Sequence, residues 1–478
     1  MNFSKEQFQK IYLPITLFLV SFVTKFLYIN TRDICLDEPF TIFHAQFTVW
    51  DILSLPAHNE PNPPLFMLVL HFWIKLFGID PISVRTLPLL FNAITVVFIY
   101  AIGKKFFNLW TGILASGIFL LSTYHFYFGL ETRTYSLLSM ASAMALFYFL
   151  SVLQEPKRKT IIYLILVNSI LIYSHYFGFF ILLMQFISGL FYIKNKKIIL
   201  SIFIVLLGTG IAFIPMISIV IKQFFYSSKG TWVQPPTNAD YYIQLWMFLN
   251  SKEIFMFTLS TLLIGAILAF FTKKIKFNTL NLKFLIILLW WIVPYTIMFF
   301  VSFKMPIFIN RYILFNTIGL YLFVAVFITL FFKQKLSYLI GCILIIYLFK
   351  DLKINSKEFY YREIKNVVNK VKTHSTKNNL ILIYPQWAHL GFMYYYDRKI
   401  FENYVKYDSL LTTKNVYPVW SIYEAKDKIA LFQNKRIIYV QDGQIGDYGI
   451  YHYLDSNFTV KDSLFYPQCF QFGVFIPK

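Results

Sequence analysis

Residues 11–40 read IYLPITLFLVSFVTKFLYINTRDICLDEPF, an apolar run that closes on the adjacent acidic pair Asp37-Glu38. The apolar part, near 11–29, is long enough to cross a hydrocarbon layer of about 30 Å. Carboxylates beside hydrocarbon lose hydration and are kept mainly where they pair, coordinate or move protons. The stretch therefore predicts a membrane helix with a candidate catalytic acid at its exit. Capping is the competing account. Asp37 suits a helix N-cap, and Glu38 and Pro39 suit the first turn of an amphipathic helix carrying Phe40, Phe43, Phe47 and Trp50 on one stripe. The two roles are compatible, and the residues leave both open.

Outward from this stretch the composition keeps the same character. Of 478 residues 58% are hydrophobic, 21% aromatic and only 14% charged, which excludes an ordinary soluble domain. Apolar segments near 11–29, 86–103, 110–128, 134–153, 160–174, 177–193, 198–221, 254–271, 284–302, 311–332 and 336–350 predict a mainly α polytopic transmembrane helix bundle of about eleven spans. The net charge of +21 could suggest nucleic acid, but its placement does not. Lys104-Lys105, Lys157-Arg158-Lys159, Lys194 with Lys196-Lys197, Lys273-Lys274 with Lys276, and Lys333 with Lys335 fall in alternate short loops. This is the positive-inside pattern, in which cytoplasmic cations lie against anionic headgroups. It predicts an inner (plasma) membrane protein with a cytoplasmic N-terminus retained as a helix, and an extracytoplasmic C-terminal domain.

The first outer loop, 31–78, is too long for a connector and holds two amphipathic stretches, Phe40 to Leu55 and Leu65 to Phe77, expected in the membrane interface. A second outer segment runs from Lys222 to Lys252 and contains Lys229-Gly230-Thr231-Trp232. The organisation expected is a transmembrane domain over 1–350 and a small α/β domain over 351–478. In the latter a helix over Glu358 to Val371, helices near Ala388 to Tyr396 and Ile422 to Phe432, and strands at Leu380 to Tyr384, Ile437 to Val440, Phe458 to Leu464 and Phe470 to Ile476 are anticipated. Cys35 and Cys469 both fall on the outer side, where oxidation can join them.

Polar residues recur at the expected outer span ends: Glu60 in Glu60-Pro61-Asn62-Pro63-Pro64, Arg85, Glu131-Thr132-Arg133-Thr134-Tyr135, Ser174-His175-Tyr176 and Asn310-Arg311-Tyr312. Each has an ordinary reading. The arginines can snorkel, the tyrosines can belong to an aromatic belt and His175 can be a hydrogen-bonded core residue. Glu131 and Arg133, two apart, could not face each other on a helix. Convergence of several such groups with three carboxylates at one membrane level favours a site. CxxC, HExxH and Gly-rich phosphate-loop patterns are absent from the sequence. No cofactor is required; the ligand types of Asp37 and Glu60 suit a divalent cation, but no metal-ligand spacing demands one.

Together these residues resemble the membrane glycosyltransferases of the GT-C class: the protein mannosyltransferases, aminoarabinose transferases and RgtA-like enzymes. The resemblance spans about the first 330 residues. It rests on Asp37-Glu38 after the first span, Glu60 with Asn62-Pro63-Pro64-Leu65 where the family has His-Pro-Pro, Ser83-Val84-Arg85, the EaRxYxL-like Glu131 to Leu137, His175-Tyr176 and Arg311-Tyr312. The resemblance implies a GT-C fold and glycosyl transfer from a polyprenyl-phosphate sugar to a lipid, glycan or protein acceptor at the outer face, by inversion. It implies Asp37 as catalytic base, with Glu60 and Glu38 as further catalytic candidates. Arg311, then Arg133 and Arg85, would bind donor phosphate, while Glu131, Tyr135, His175, Tyr176 and Tyr312 would contact substrate. A polytopic transporter or lipid flippase is the alternative. It calls for ionisable residues near the midplane and an internal repeat, which the sequence does not clearly present.

Overall fold

A computed structural model of the protein describes residues 11–57, 60–227, 230, 233–271, 279–354, 363–376, 379–432, 435–442, 449–465 and 470–478. The chain forms two compact units. One contains the N-terminal helix, Leu53–Val69 and Arg85–Ile354; the other contains Ile29–Ile52, Leu70–Val84 and the C-terminal segment.

The first unit is helical. Helices stand at all eleven segments read as spans: Leu13–Phe26, Pro81–Phe106, Leu109–Leu120, Tyr135–Gln154, Arg158–Ser174, Gly178–Leu190, Lys196–Phe213, Lys252–Phe271, Thr279–Val301, Asn310–Ile313 running on to Thr317–Phe331, and Gln334–Lys350. Six helices among the described residues are long and apolar enough to cross a membrane by themselves. Of the rest, Leu13–Phe26, Leu109–Leu120 and Gly178–Leu190 are shorter than the sequence suggested. The segment near 110–128 shows why: it breaks at Ser122, whose hydroxyl caps a new helix, Thr123–Phe128, by accepting from the His125 amide.

Burial separates interior from lipid-facing helices. The apolar windows of Asn310–Phe331 and Tyr135–Gln154 are 89% and 83% buried, against 28% for Lys252–Phe271. Because lipid is as apolar as leucine, small residues and polar braces, rather than hydrophobic contrast, select helix partners. Asn168 and Gln185, both fully buried, exchange amide hydrogen bonds of 2.8 and 2.9 Å between helices Arg158–Ser174 and Gly178–Leu190. His125 Nε2 lies 2.6 Å from Thr317 Oγ1, and Ser21 Oγ, which accepts from the buried Lys25 of its own helix (3.2 Å), donates to Asn92 Oδ1 of helix Pro81–Phe106 over 3.5 Å. Helices Pro81–Phe106 and Leu109–Leu120 meet at Gly103 and Gly112, where a Cβ on Gly103 would stand 2.5 Å from the Gly112 backbone.

The second unit is α/β. Strands β1 (Leu380–Tyr384), β2 (Val416–Pro418), β3 (Ile437–Asp442), β4 (Phe458–Phe465) and β5 (Phe470–Pro477) form one sheet in the order β2-β1-β3-β5-β4. The β2-β1-β3 part is parallel and the rest antiparallel. Strands β1 and β3 are buried on both faces, as central parallel strands require. Edge strand β4 is mostly exposed. Helix Ile364–His374 buries Ile364, Val367, Val368 and Val371, one stripe at helical spacing. Three-residue β2 and helix Tyr407–Thr413 were not foreseen, being too short for periodicity to register. Residues 358–362 of the expected first helix, Cys469 with its proposed pairing, and Lys229, Thr231 and Trp232 lie outside the described residues.

The first loop contributes directly to this unit. The Ile34 amide donates to Tyr395 Oη (2.6 Å), the Lys365 amide to Asp33 Oδ2 (2.8 Å) and Tyr394 Oη to the Ile79 carbonyl (2.8 Å). Phe43 packs edge-on against Phe401 and Tyr407. The single helix expected over Phe40 to Leu55 is instead two, Glu38–His44 and Val49–Ser54. Thr48 divides them, its hydroxyl accepting from the Asp51 amide and donating to the Asp51 carboxylate, a local bond that competes with helix continuation.

Gly103→Ala should lower the melting temperature in detergent, because overpacking against backbone costs about 1–3 kcal/mol or more and exceeds the roughly 1 kcal/mol of helix propensity gained. Gly210→Ala, whose Cβ meets nothing within 4 Å, should leave it unchanged or raise it; thermal unfolding of both variants checks this.

Candidate functional site

Asp37 and Glu38 belong to the second unit. Asp37 is half-buried at the N-cap position of helix Glu38–His44, yet its side chain makes no cap hydrogen bond. Its backbone carbonyl takes the helix donors instead, from Thr41 N (3.1 Å) and Thr41 Oγ1 (3.0 Å). The capping account of this carboxylate is therefore not the one adopted. Leu36 before it has φ +57°, a left-handed conformation uncommon for a branched side chain and of the kind that clusters at functional sites. The helix that follows has Pro39 in its first turn and Glu38 buried, 3% exposed. His71, on helix Leu65–Phe77, is buried with Nδ1 2.9 Å from the Ala45 carbonyl.

The first unit brings most of the other residues together. Glu60 is 4% exposed, and its Oε1 accepts from the Asn62 amide (3.2 Å) and Asn62 Nδ2 (2.8 Å). Asn62, where the resembled family carries histidine, thus orients the carboxylate. Gln223, which the sequence did not single out, donates to the backbone carbonyls of Pro56 and Glu60. Tyr176 feels the Glu60 charge: burial first, and that charge second, push its hydroxyl well above the usual phenol range. This hydroxyl is buried and, among the described residues, has no hydrogen-bond partner. A buried hydroxyl left in this way is uncommon and calls for an explanation.

His175 ends helix Arg158–Ser174 in extended conformation. Its ring lies 5.7 Å from that of Tyr312, which is 5.4 Å from Phe177 and carries the Arg311 guanidinium 5.7 Å above its face. Arg133 approaches from the turn preceding helix Tyr135–Gln154, where Thr134 Oγ1 donates to the Ser174 carbonyl (2.8 Å). Glu131 and Arg133 are not on a helix: the Arg133 amide donates to the Glu131 carbonyl (2.7 Å) within this turn, so the helical-spacing argument about them does not apply. Both are buried, as are Tyr135 and Arg85; Tyr135 packs edge-on to Phe128, and Arg85 stands in the opening turns of Pro81–Phe106, 1% exposed. The arrangement joins a carboxylate, an unpartnered hydroxyl, a neutral imidazole and two guanidinium groups. Among the described residues no cluster of three or more metal-ligating side chains occurs.

An apolar cavity of about 390 Å³ lies between helices Arg158–Ser174, Gly178–Leu190 and Lys196–Phe213, lined by Ile172, Phe179, Thr209, Phe213 and Val220 among others. Tyr176 packs against Ile172 and Phe213 of the same cluster. The cavity thus starts beside the polar group.

Residues 61–221 match the family model of dolichyl-phosphate-mannose-protein mannosyltransferases. No curated protein matches the chain significantly. Among solved structures, ArnT from Cupriavidus metallidurans in the apo state is similar at 12% identity over 97% of both chains, with a TM-score of 0.61. The same protein bound to undecaprenyl phosphate is similar at 11% identity over 97% of both chains, TM-score 0.60. The oligosaccharyltransferase AglB from Archaeoglobus fulgidus, in complex with an inhibitory peptide and a dolichol-phosphate, is similar at 10% identity over 91% of this chain and 70% of that one, TM-score 0.50. The fold implied by the resemblance is the fold found, that of an integral membrane protein.

Burial, and then the Arg133 charge, pull the His175 pKa from 6.5 down to about 3. The unfolded chain therefore binds the extra proton between those values, and stability present above pH 6.5 is lost as pH falls towards 3. His175→Asn should flatten the fall in melting temperature between pH 7 and pH 5 (about the ordinary histidine range); an unchanged slope in thermal unfolding would refute the assignment.

Proposed function

We propose that the protein transfers a glycosyl group from a polyprenyl-phosphate-linked donor to a hydroxyl of a lipid, glycan or protein acceptor at the outer membrane face. The observation that carries the reading is the convergence of Glu60, Tyr176, His175, Arg133, Tyr312 and Arg311 on one fold whose solved counterparts include an undecaprenyl-phosphate complex. The transporter alternative finds less support, since the ionisable groups gather at helix ends.

In this reading the donor's isoprenoid tail occupies the apolar cavity beside Tyr176. The acceptor oxygen attacks the sugar C1 from the face opposite the phosphate, and the C1–O bond to phosphate breaks with inversion. Its electron pair leaves with the polyprenyl phosphate, whose charge Arg311, Arg133 and Arg85 stabilise by charge-assisted hydrogen bonds in a site of low dielectric. The acceptor proton passes to Asp37, whose carboxylate is not spent on capping. Glu60 and Glu38 orient the acceptor side. Tyr176 donates to a sugar or phosphate oxygen, with Glu131, Tyr135, His175 and Tyr312 shaping the contact surface. The alternate basic loops support a cytoplasmic N-terminus and a C-terminal unit on the outer side.

Detergent-solubilised protein incubated with a panel of polyprenyl-phosphate sugars and membrane lipid extracts should yield a glycosylated product by mass. Asp37→Asn should lower turnover by about 10²–10⁴ while donor binding stays largely intact; unchanged turnover removes Asp37 as base. Arg311→Ala should weaken use of the donor, and normal donor binding and rate would exclude Arg311 as its clamp.

A further inference from the structure

The apolar helix Lys196–Tyr226 counts 31 residues, with a 3-10 turn at Ile214–Met216 around Pro215. At 1.5 Å per residue it is about 45 Å long, roughly 15 Å more than a hydrocarbon layer needs. Gln223 stands in the last turn of this helix, among the exposed side chains of Ile221, Phe224, Phe225 and Tyr226. The Gln223 side chain turns inward. Its Nε2 donates to the Pro56 carbonyl (2.7 Å) and the Glu60 carbonyl (2.6 Å), which uses both N–H groups of the amide. The Glu60 amide in turn donates to the Leu55 carbonyl (3.3 Å), and its carboxylate is held by Asn62. Backbone and side chain of Glu60 are thus fixed by two separate amides.

We infer that Gln223 is a positioning residue, which holds the loop backbone from which Glu60 presents its carboxylate to the acceptor. The inference rests on the glycosyl-transfer reading of Glu60. A half-buried glutamine near a helix end gives up side-chain freedom when it is ordered, and here both of its donors are spent on one loop. A displacement of about 1 Å at a reacting group can lower a rate 10²-fold. The clamp therefore acts on turnover rather than on donor affinity.

The test combines local hydrogen exchange with transfer kinetics on the full chain in detergent. Gln223→Met keeps the length and removes both donors. It should speed exchange at the Glu60 amide, leave exchange elsewhere in the helical unit unchanged, and lower kcat about 10- to 100-fold at constant donor KM. Gln223→Lys, which restores donors, should recover part of the rate, and the Met substitution should add nothing on a Glu60→Gln background. Unaltered exchange at Glu60, unaltered kcat, or an exchange rise spread over the whole unit would each overturn the proposal. If the wild type turns over no donor in the panel, the glycosyl-transfer reading falls, and the exchange measurement still decides whether the clamp exists.

Discussion

Everything at this site follows from the cost of holding an ionised group where water is scarce. Glu60, Arg85, Glu131 and Arg133 are each no more than 8% exposed, and each engages a bonding or electrostatic partner. Removing one ion from water without compensation costs several kcal/mol even after relaxation, a large share of the 5–15 kcal/mol or so that separates folded from unfolded chains. Such groups are therefore fixed in number and place by their surroundings, and the neutral residues around them become part of the device. Asn62 supplies donors to Glu60, Thr134 ties the Arg133 turn to the end of a neighbouring helix, and His175 is kept neutral beside Arg133. A site so constrained is organised before any ligand arrives, which is what electrostatic stabilisation of a leaving phosphate requires.

The sequence revealed long periodic features and missed those made by single bonds. Apolar runs marked the long helices of the bundle because the bilayer imposes a length, though not the short helix Asp240–Phe248 in the second outer segment, and strands β1, β3, β4 and β5 were visible in their patterns. Helix ends were less legible. Ser122 and Thr48 each start a new helix through local side-chain bonds, which leave no periodic trace. Among the site residues, Glu60, His175, Tyr176, Arg133 and Tyr312 were recognisable as polar groups where a span should end. What could not be read was that Asp37 stands at an N-cap without acting as one, that Asn62 serves Glu60, or that Gln223 reaches back across more than 160 positions. These are contacts between distant stretches, and single-sequence periodicity carries no information about them. Nor could composition foretell that the first outer loop shares its compact unit with the C-terminal strands.

That shared unit has a bearing on how the protein is made. The Ile34 amide meets Tyr395 across 361 positions, so the segment that bears Asp37 is synthesised long before the aromatic side chains that will cover Phe43. Until that part of the chain is made, Phe43 lacks these aromatic partners. The surroundings of the acidic pair are thus completed late, once the chain has been made as far as Tyr407. A truncated product ending before Tyr395 would keep the bundle helices and yet leave the segment bearing Asp37 without these partners.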